Sequence, residues 1–194
     1  MPAYDLLTAL LVVDVQNDFA DPKGNLYVEG GEEILDHANA EILEASGAGA
    51  LIVYTQDWHP PSTPHFQKDG GIWPVHCVRS TWGAEFVPEL EVRGRVIRKG
   101  TGGEDGYSGF SVRDPKSGER SATALENELR SRGVRRLVIA GLATDYCVVE
   151  TVLDATHLGF ETAVLHDAIR AVDLQPGDGD RAIERMREAG AEIG

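Results

Sequence analysis

The sequence predicts an α/β fold of three layers, α/β/α, around a mainly parallel sheet. Three observations predict it. Short runs that are apolar throughout, rather than alternating, recur along the chain, as strands covered on both faces do. Stretches of amphipathic helical period separate them. Glycines fall between each helical stretch and the next apolar run. The 194 residues fit one domain spanning 1–194, long enough to bury a sizeable core without disulfides.

Residues 10–15 (LLVVDV) read as the first strand. A helix is expected over 32–45, with Ile34, Ala38, Ile42 and Ala45 on one face and Leu35 and Leu43 widening it. Gly47 is its expected stop. Residues 50–55 (ALIVYT) form the second strand and 95–98 (RVIR) a short third one. Thr123 and Glu126 have capping-box spacing ahead of a helix carrying Leu125 and Leu129 and ended by Gly133. Then come a fourth strand over 136–140 (RLVIA), a helix over 145–158 ending at Gly159, and a fifth strand over 162–165 (TAVL). A last helix over 180–189 closes at Gly190. Alternation of strand and helix implies right-handed crossovers. The stretches 56–92 and 100–120 break the rhythm and are rich in Gly, Pro and polar residues. Long irregular segments inside a compact domain are usually functional.

Eighteen basic residues against 32 acidic ones give a net charge of −14. Such a surface repels phosphate backbones and anionic lipid, so neither nucleic acid nor membrane is an expected partner. No apolar run approaches the roughly 20 residues of a spanning helix. Residues 1–10 lack a basic start and a small-residue cleavage site, so no leader is expected and the cytoplasm is the expected compartment. The two cysteines, Cys77 and Cys147, are expected as free thiols, with Cys77 buried and inert.

In an open parallel sheet, ligands bind outside the carboxyl ends of the strands. Asp14, Asp57 with His59, Lys99, the stretch 141–147 (GLATDYC) and His166 with Asp167 fall at those ends. A lone cysteine is most often inert, but Cys147 lies just inside an expected helix N-terminus, where N–H groups, the helix dipole and Lys99 favour a thiolate. Asp14 interrupts an apolar run and is a candidate general acid and base. A Cys147–His166 pair is the alternative; it leaves Asp14 and Lys99 without a role. Asp18 is expected to cap a turn. Three of the six histidines lie between positions 59 and 76. Asp57 and His59 project to one side of an extended segment, and with a later histidine they form an N/N/O set suited to zinc, iron or manganese. His65 is a candidate fourth ligand; His37 and His157 are incidental. Phe19, Trp73 and Tyr107 flank these groups and suit a flat aromatic substrate, core packing being the bland alternative.

The stretches VVDVQNDF (12–19), TQDWHP (55–60), GGIWPVHCV (70–78), GAEF (83–86), RKG (98–100), GYSGF (106–110) and GLATDYCV (141–148) complete the pattern. In order and span the chain resembles the nicotinamidase/pyrazinamidase branch of the isochorismatase-like cysteine hydrolases. The resemblance implies a Rossmann-like fold, a catalytic triad of Asp14, Lys99 and Cys147, and one divalent metal held by Asp57, His59 and His76. Zinc is the first expectation, with iron or manganese as alternatives. His65 falls where some members supply a further ligand. Also implied are a cis Leu142–Ala143 peptide, an oxyanion hole from the N–H groups of Ala143 and Cys147, and a pyridine ring held between Phe19 and Trp73. The implied activity is hydrolysis of nicotinamide, and of pyrazinamide, to the acid and ammonia through a cysteine thioester, in NAD salvage. Related hydrolases act on isochorismate, maleamate or N-carbamoylsarcosine. The implied partners are a small amide substrate and further copies of the chain in a homo-oligomer. The stretch 101–105 (TGGED) says nothing about the substrate.

Overall fold

A computed structural model describes residues 4–194. In chain order the elements are β1 (Thr8–Val13), the single turn α1 (Asn17–Ala20), α2 (Leu35–Gly47), β2 (Leu51–Asp57) and β3 (Arg95–Lys99). There follow β4 (Ser111–Arg113), β5 (Arg120–Ala122), α3 (Leu125–Ser131), β6 (Arg136–Leu142) and α4 (Val149–His157). The chain closes with β7 (Glu161–Arg170), α5 (Asp178–Glu188) and β8 (Glu192–Ile193). Six strands form one sheet in the order β3-β2-β1-β6-β7-β8, with every neighbouring pair parallel. β4 and β5 form a separate antiparallel hairpin.

Side chains alternate along a strand, so central β1 feeds two cores. Leu10 and Val12 pack with Ile52, Tyr54, Val138 and Ala140 against Ala38, Ile42 and Ala45 of α2. Ala9, Leu11 and Val13 pack with Leu137 and Ile139 against Leu125 and Leu129 of α3, Val149 and Val152 of α4, and Ala182 and Met186 of α5. This is the expected three-layer α/β/α arrangement. Burial of every residue of β1 is why the strand reads as an unbroken apolar run.

The strands outrun their apolar cores. β2 continues through Asp57, β3 through Lys99, β6 through Leu142 and β7 through Arg170, because backbone pairing persists where hydrophobicity stops. β4, β5 and β8 are two or three residues long and left no pattern to read. α2 ends at Gly47 as expected, but Gly47 is not the reversing residue. The chain reverses at Gly49, with φ 72°, and Ala50 N–H donates to Ala45 O at 3.0 Å, a Schellman-type closure. The capping box before α3 is half made: Thr123 Oγ1 accepts from Leu125 N–H at 3.1 Å. Glu126 instead accepts from Arg130 at 2.7 Å, since Thr123 N–H already donates to Phe110 O. Among the described residues, no helix is long and apolar enough to cross a membrane.

Gly141 is where the sheet approaches the site most tightly. It pairs with Val13 at φ 120°, and a Cβ there would stand 2.0 Å from Val13 O and 2.5 Å from Val13 N. Gly141→Ala is therefore expected to lower the unfolding free energy by at least about 2 kcal/mol, measured by urea denaturation. A change below about 0.5 kcal/mol would show that this backbone is free to relax.

Candidate active site

The carboxyl ends of four parallel strands meet at one buried cation. Asp14 follows β1 directly, turned inward by a φ of 50°. Asp57 and Lys99 are registered partners at the ends of β2 and β3. Lys99 Nζ lies 2.7 Å from Asp14 Oδ2, 2.5 Å from Asp57 Oδ1 and 3.7 Å from Cys147 Sγ. It also donates to Gly106 O. Asp14 is 0% exposed, Lys99 1% and Cys147 8%. Thr55 Oγ1 donates to the other oxygen of Asp14 at 2.7 Å. Removing an ammonium and two carboxylates from water costs several kcal/mol per ion, and only mutual pairing offsets it.

The same burial sets the protonation states. Burial pushes the Asp14 carboxyl above its ordinary range against the pull of Lys99, with the Asp57 charge adding to the rise. Burial opposes the Lys99 charge, yet Asp14 and Asp57 hold its pKa well above the ordinary value. Asp57 resists its own burial because Lys99 and His59 hold it below the usual carboxylate range.

Cys147 corrects an expectation. Burial drives its thiol well above the usual value, Lys99 pulls it down, and Asp14 and Asp57 raise it further. Burial is the largest of these influences, and it favours the neutral thiol over the thiolate. Cys147 does lie in the first turn of a helical segment, with α4 following directly, but that turn is not α-helical. It sits in a π-type turn, Thr144–Val148, in which Val148 N–H reaches back five residues to Ala143 O at 3.0 Å. Asp145 anchors this turn, accepting from Val172 N–H and Asp173 N–H at 2.9 Å each. The Leu142–Ala143 peptide before it is cis.

Beside the cation, the rings of His59, His65 and His76 offer nitrogens that all lie within 4.8 Å of one another. His65 stands in this cluster on equal terms with the other two. Asp57 divides its carboxylate: Oδ1 faces Lys99 at 2.5 Å and Oδ2 lies 3.7 Å from His59 Nε2. His76 Nδ1 is 2.8 Å from Pro74 O and His65 Nδ1 is 2.7 Å from Asp105 Oδ1, which leaves the Nε2 lone pairs free. Both ring nitrogens of His59 are buried without a hydrogen-bond partner. Burial holds His76 down at about 4 and lowers His65 as well, so both rings are neutral. Buried imidazoles that keep unpaired ring nitrogens beside a carboxylate fit a divalent metal.

One pocket joins the two groups. Phe19, Trp73, Tyr107, His65, His76, Asp57, Ala143 and Cys147 line it, so both proposed oxyanion donors and all three expected aromatics reach it. Trp73 Nε1–H donates to Tyr107 Oη at 2.7 Å, and the Trp73 ring meets Tyr146 edge-on at 4.8 Å. Tyr146, Leu26, Val28 and Val172 complete the wall; they lie in loops and turns whose apolar residues follow no period. His166 lies within β7, not at its end. Its side chain is 58% exposed beside Asp167, and it is absent from the pocket lining, so the Cys147–His166 alternative has no geometry. Cys77 is buried, and both cysteines are free thiols.

Two supporting residues were hidden in the VVDVQNDF stretch. Gln16 acts as a backbone substitute: its amide donates to Asp57 O and Ala84 O at 2.8 Å each and accepts from Asp57 N–H at 2.7 Å. Asp18 does cap turns, accepting from Asn25 N–H at 3.0 Å and Cys77 N–H at 2.7 Å. It thereby holds Cys77 at a φ of 45° and sets the loop carrying His76.

Comparison with known proteins agrees with this architecture. The Isochorismatase domain matches residues 8–194, and the chain belongs to the isochorismatase family. It is 37% identical to the nicotinamidase of Escherichia coli over 95% of this chain and 93% of that one. It is 36% identical to the nicotinamidase/pyrazinamidase of Mycobacterium tuberculosis over 96% and 98%. Among solved structures, the pyrazinamidase of Pyrococcus horikoshii in complex with zinc superposes with a TM-score of 0.87 at 42% identity, covering 97% of this chain and 98% of that one. PnC1 from L. infantum in complex with nicotinate superposes at 0.89 with 34% identity, covering 100% and 95%.

Removing the Asp18 carboxylate leaves two N–H groups without their acceptor. Asp18→Ala is expected to cost about 1–3 kcal/mol of stability by urea denaturation, and Asp18→Asn, which keeps one acceptor oxygen, less. Equal stability of all three chains would count against this role.

Proposed function

We propose that the chain is an amidohydrolase that converts nicotinamide, and pyrazinamide, to the corresponding acid and ammonia through a thioester on Cys147. The observation that carries this reading is the buried Asp14–Lys99–Cys147 group beside a cluster of three histidines, with Cys147, His65 and His76 reaching one aromatic-lined pocket. The named relatives and the nicotinate complex support the choice of substrate.

The pyridine ring packs between Phe19 and Trp73, with Tyr107 fixing the indole. His59, His65 and His76, with Asp57, are the ligands for a divalent cation, for which zinc is proposed on the strength of the Pyrococcus complex. When bound there, the cation would supply a fixed positive charge and Lewis acidity toward the substrate end of the pocket. Asp14 offers an oxygen within 4.8 Å of Cys147 Sγ and takes its proton as the sulfur attacks the carboxamide carbon. Its raised pKa suits a group that must both accept and return a proton. The N–H groups of Ala143 and Cys147 hold the developing oxyanion. Lys99 keeps its charge throughout and stabilises the anionic pair. Asp14 then protonates the leaving nitrogen and ammonia departs. Next it deprotonates the water that cleaves the thioester, and it returns the proton to Cys147 as the acid leaves.

Cys147→Ala is expected to reduce ammonia release from nicotinamide by about 10³-fold or more, with an unchanged circular dichroism spectrum. Retained turnover would remove the nucleophile assignment. Stripping metal with a chelator is expected to suppress turnover and zinc to restore it. Full activity in a metal-free protein, or preference for maleamate or N-carbamoylsarcosine across an amide panel, would point to another hydrolase of the family.

A further inference from the structure

The stretch 101–105 is silent about the substrate in the sequence, yet its end is built into the site. Every second residue of 103–107 meets the loop that carries the histidines and Trp73. Gly103 O accepts from Thr63 Oγ1 at 2.6 Å, Asp105 Oδ1 lies 2.7 Å from His65 Nδ1, and Tyr107 Oη accepts from Trp73 Nε1–H at 2.7 Å. Between them, Gly106 O receives the Lys99 ammonium. Asp105 is itself pinned by the β4–β5 hairpin. It exchanges both backbone hydrogen bonds with Arg113, at 2.8 and 2.9 Å.

We propose that Asp105 is a positioning residue for metal binding, its carboxylate accepting the Nδ1 proton of His65 so that the Nε2 lone pair faces His59 and His76. This rests on the reading of those three histidines as metal ligands. A neutral imidazole carries one proton, and the partner of one nitrogen decides which nitrogen can ligate. His76 gets the same service from a neutral carbonyl, Pro74 O at 2.8 Å. His65 gets a full carboxylate, which both orients the ring and makes its free nitrogen more basic. The Asp105 side chain is 21% exposed and that of His65 5%, so the carboxylate is the partner that a buried ring nitrogen would otherwise lack.

The test is zinc affinity of the chelator-stripped protein, read by competition with a chromogenic chelator, so it needs no turnover. Asp105→Ala is expected to weaken zinc binding about 10- to 100-fold, and Asp105→Glu to recover most of that loss. His65→Ala should weaken binding at least as much. The double variant should bind no more weakly than His65→Ala alone, because Asp105 acts only through that ring. The metal-free Asp105→Ala protein should remain folded, with a parent-like circular dichroism spectrum and a cooperative thermal transition. Parent-like affinity in Asp105→Ala, or additive losses in the double variant, overturns the proposal. Parent-like affinity in His65→Ala overturns it by removing His65 from the ligands. A parent chain that binds no zinc fails at the metal reading itself, and the proposal falls with it.

Discussion

The site depends on one ammonium group held out of water. Lys99 Nζ is shared by Asp14, Asp57 and Gly106 O within a volume that solvent does not reach. Because each partner is charged or strongly polar, none can be removed without leaving another buried and uncompensated. That mutual dependence ties β1, β2, β3 and the 100–107 segment into one geometry. It also sets the chemistry: Asp14 ends with a raised pKa and Asp57 with a lowered one. Two carboxylates on one cation are thereby pushed apart, which suits the proposed division between proton transfer at Asp14 and a negative charge beside the histidines at Asp57.

Asp57 is the hinge between the two halves of the site. One oxygen faces Lys99 and the other faces His59. Its backbone is fixed from behind by the Gln16 amide on both its N–H and its C=O. Cys147 is fixed in a comparable way, by Asp145 bonding across to 172–173 and by the π-type turn that replaces the start of an ordinary helix. In both cases polar side chains bonded to backbone hold the reactive group in place, which suits a site that must be set to a fraction of an ångström.

Much of this was legible in the sequence because it follows from pattern. Apolar runs mark the five longer strands, and the rule that ligands gather at carboxyl strand ends places Asp14, Lys99 and Cys147 on one edge from the sequence alone. What escaped has physical reasons. Gln16 carries no reactive chemistry, and a buried amide that mimics a strand neighbour looks like any polar residue. Tyr146, Leu26, Val28 and Val172 are pocket walls from loops and turns, where no period marks an inward-facing side chain. Asp105 lies in an irregular acidic, glycine-rich stretch and acquires meaning only from His65, forty positions away in the chain.

The sequence by itself determined the layers, the sheet, the reactive residue types and the end of the sheet on which they lie, since each depends on local periodicity and strand polarity. Only the tertiary structure decided that burial raises the Cys147 thiol, that His65 stands level with His59 and His76, and that Asp57 divides its two oxygens between a lysine and a histidine. Those outcomes depend on distances of a few ångströms between residues far apart in the chain, inside a medium too weakly screening to average them away.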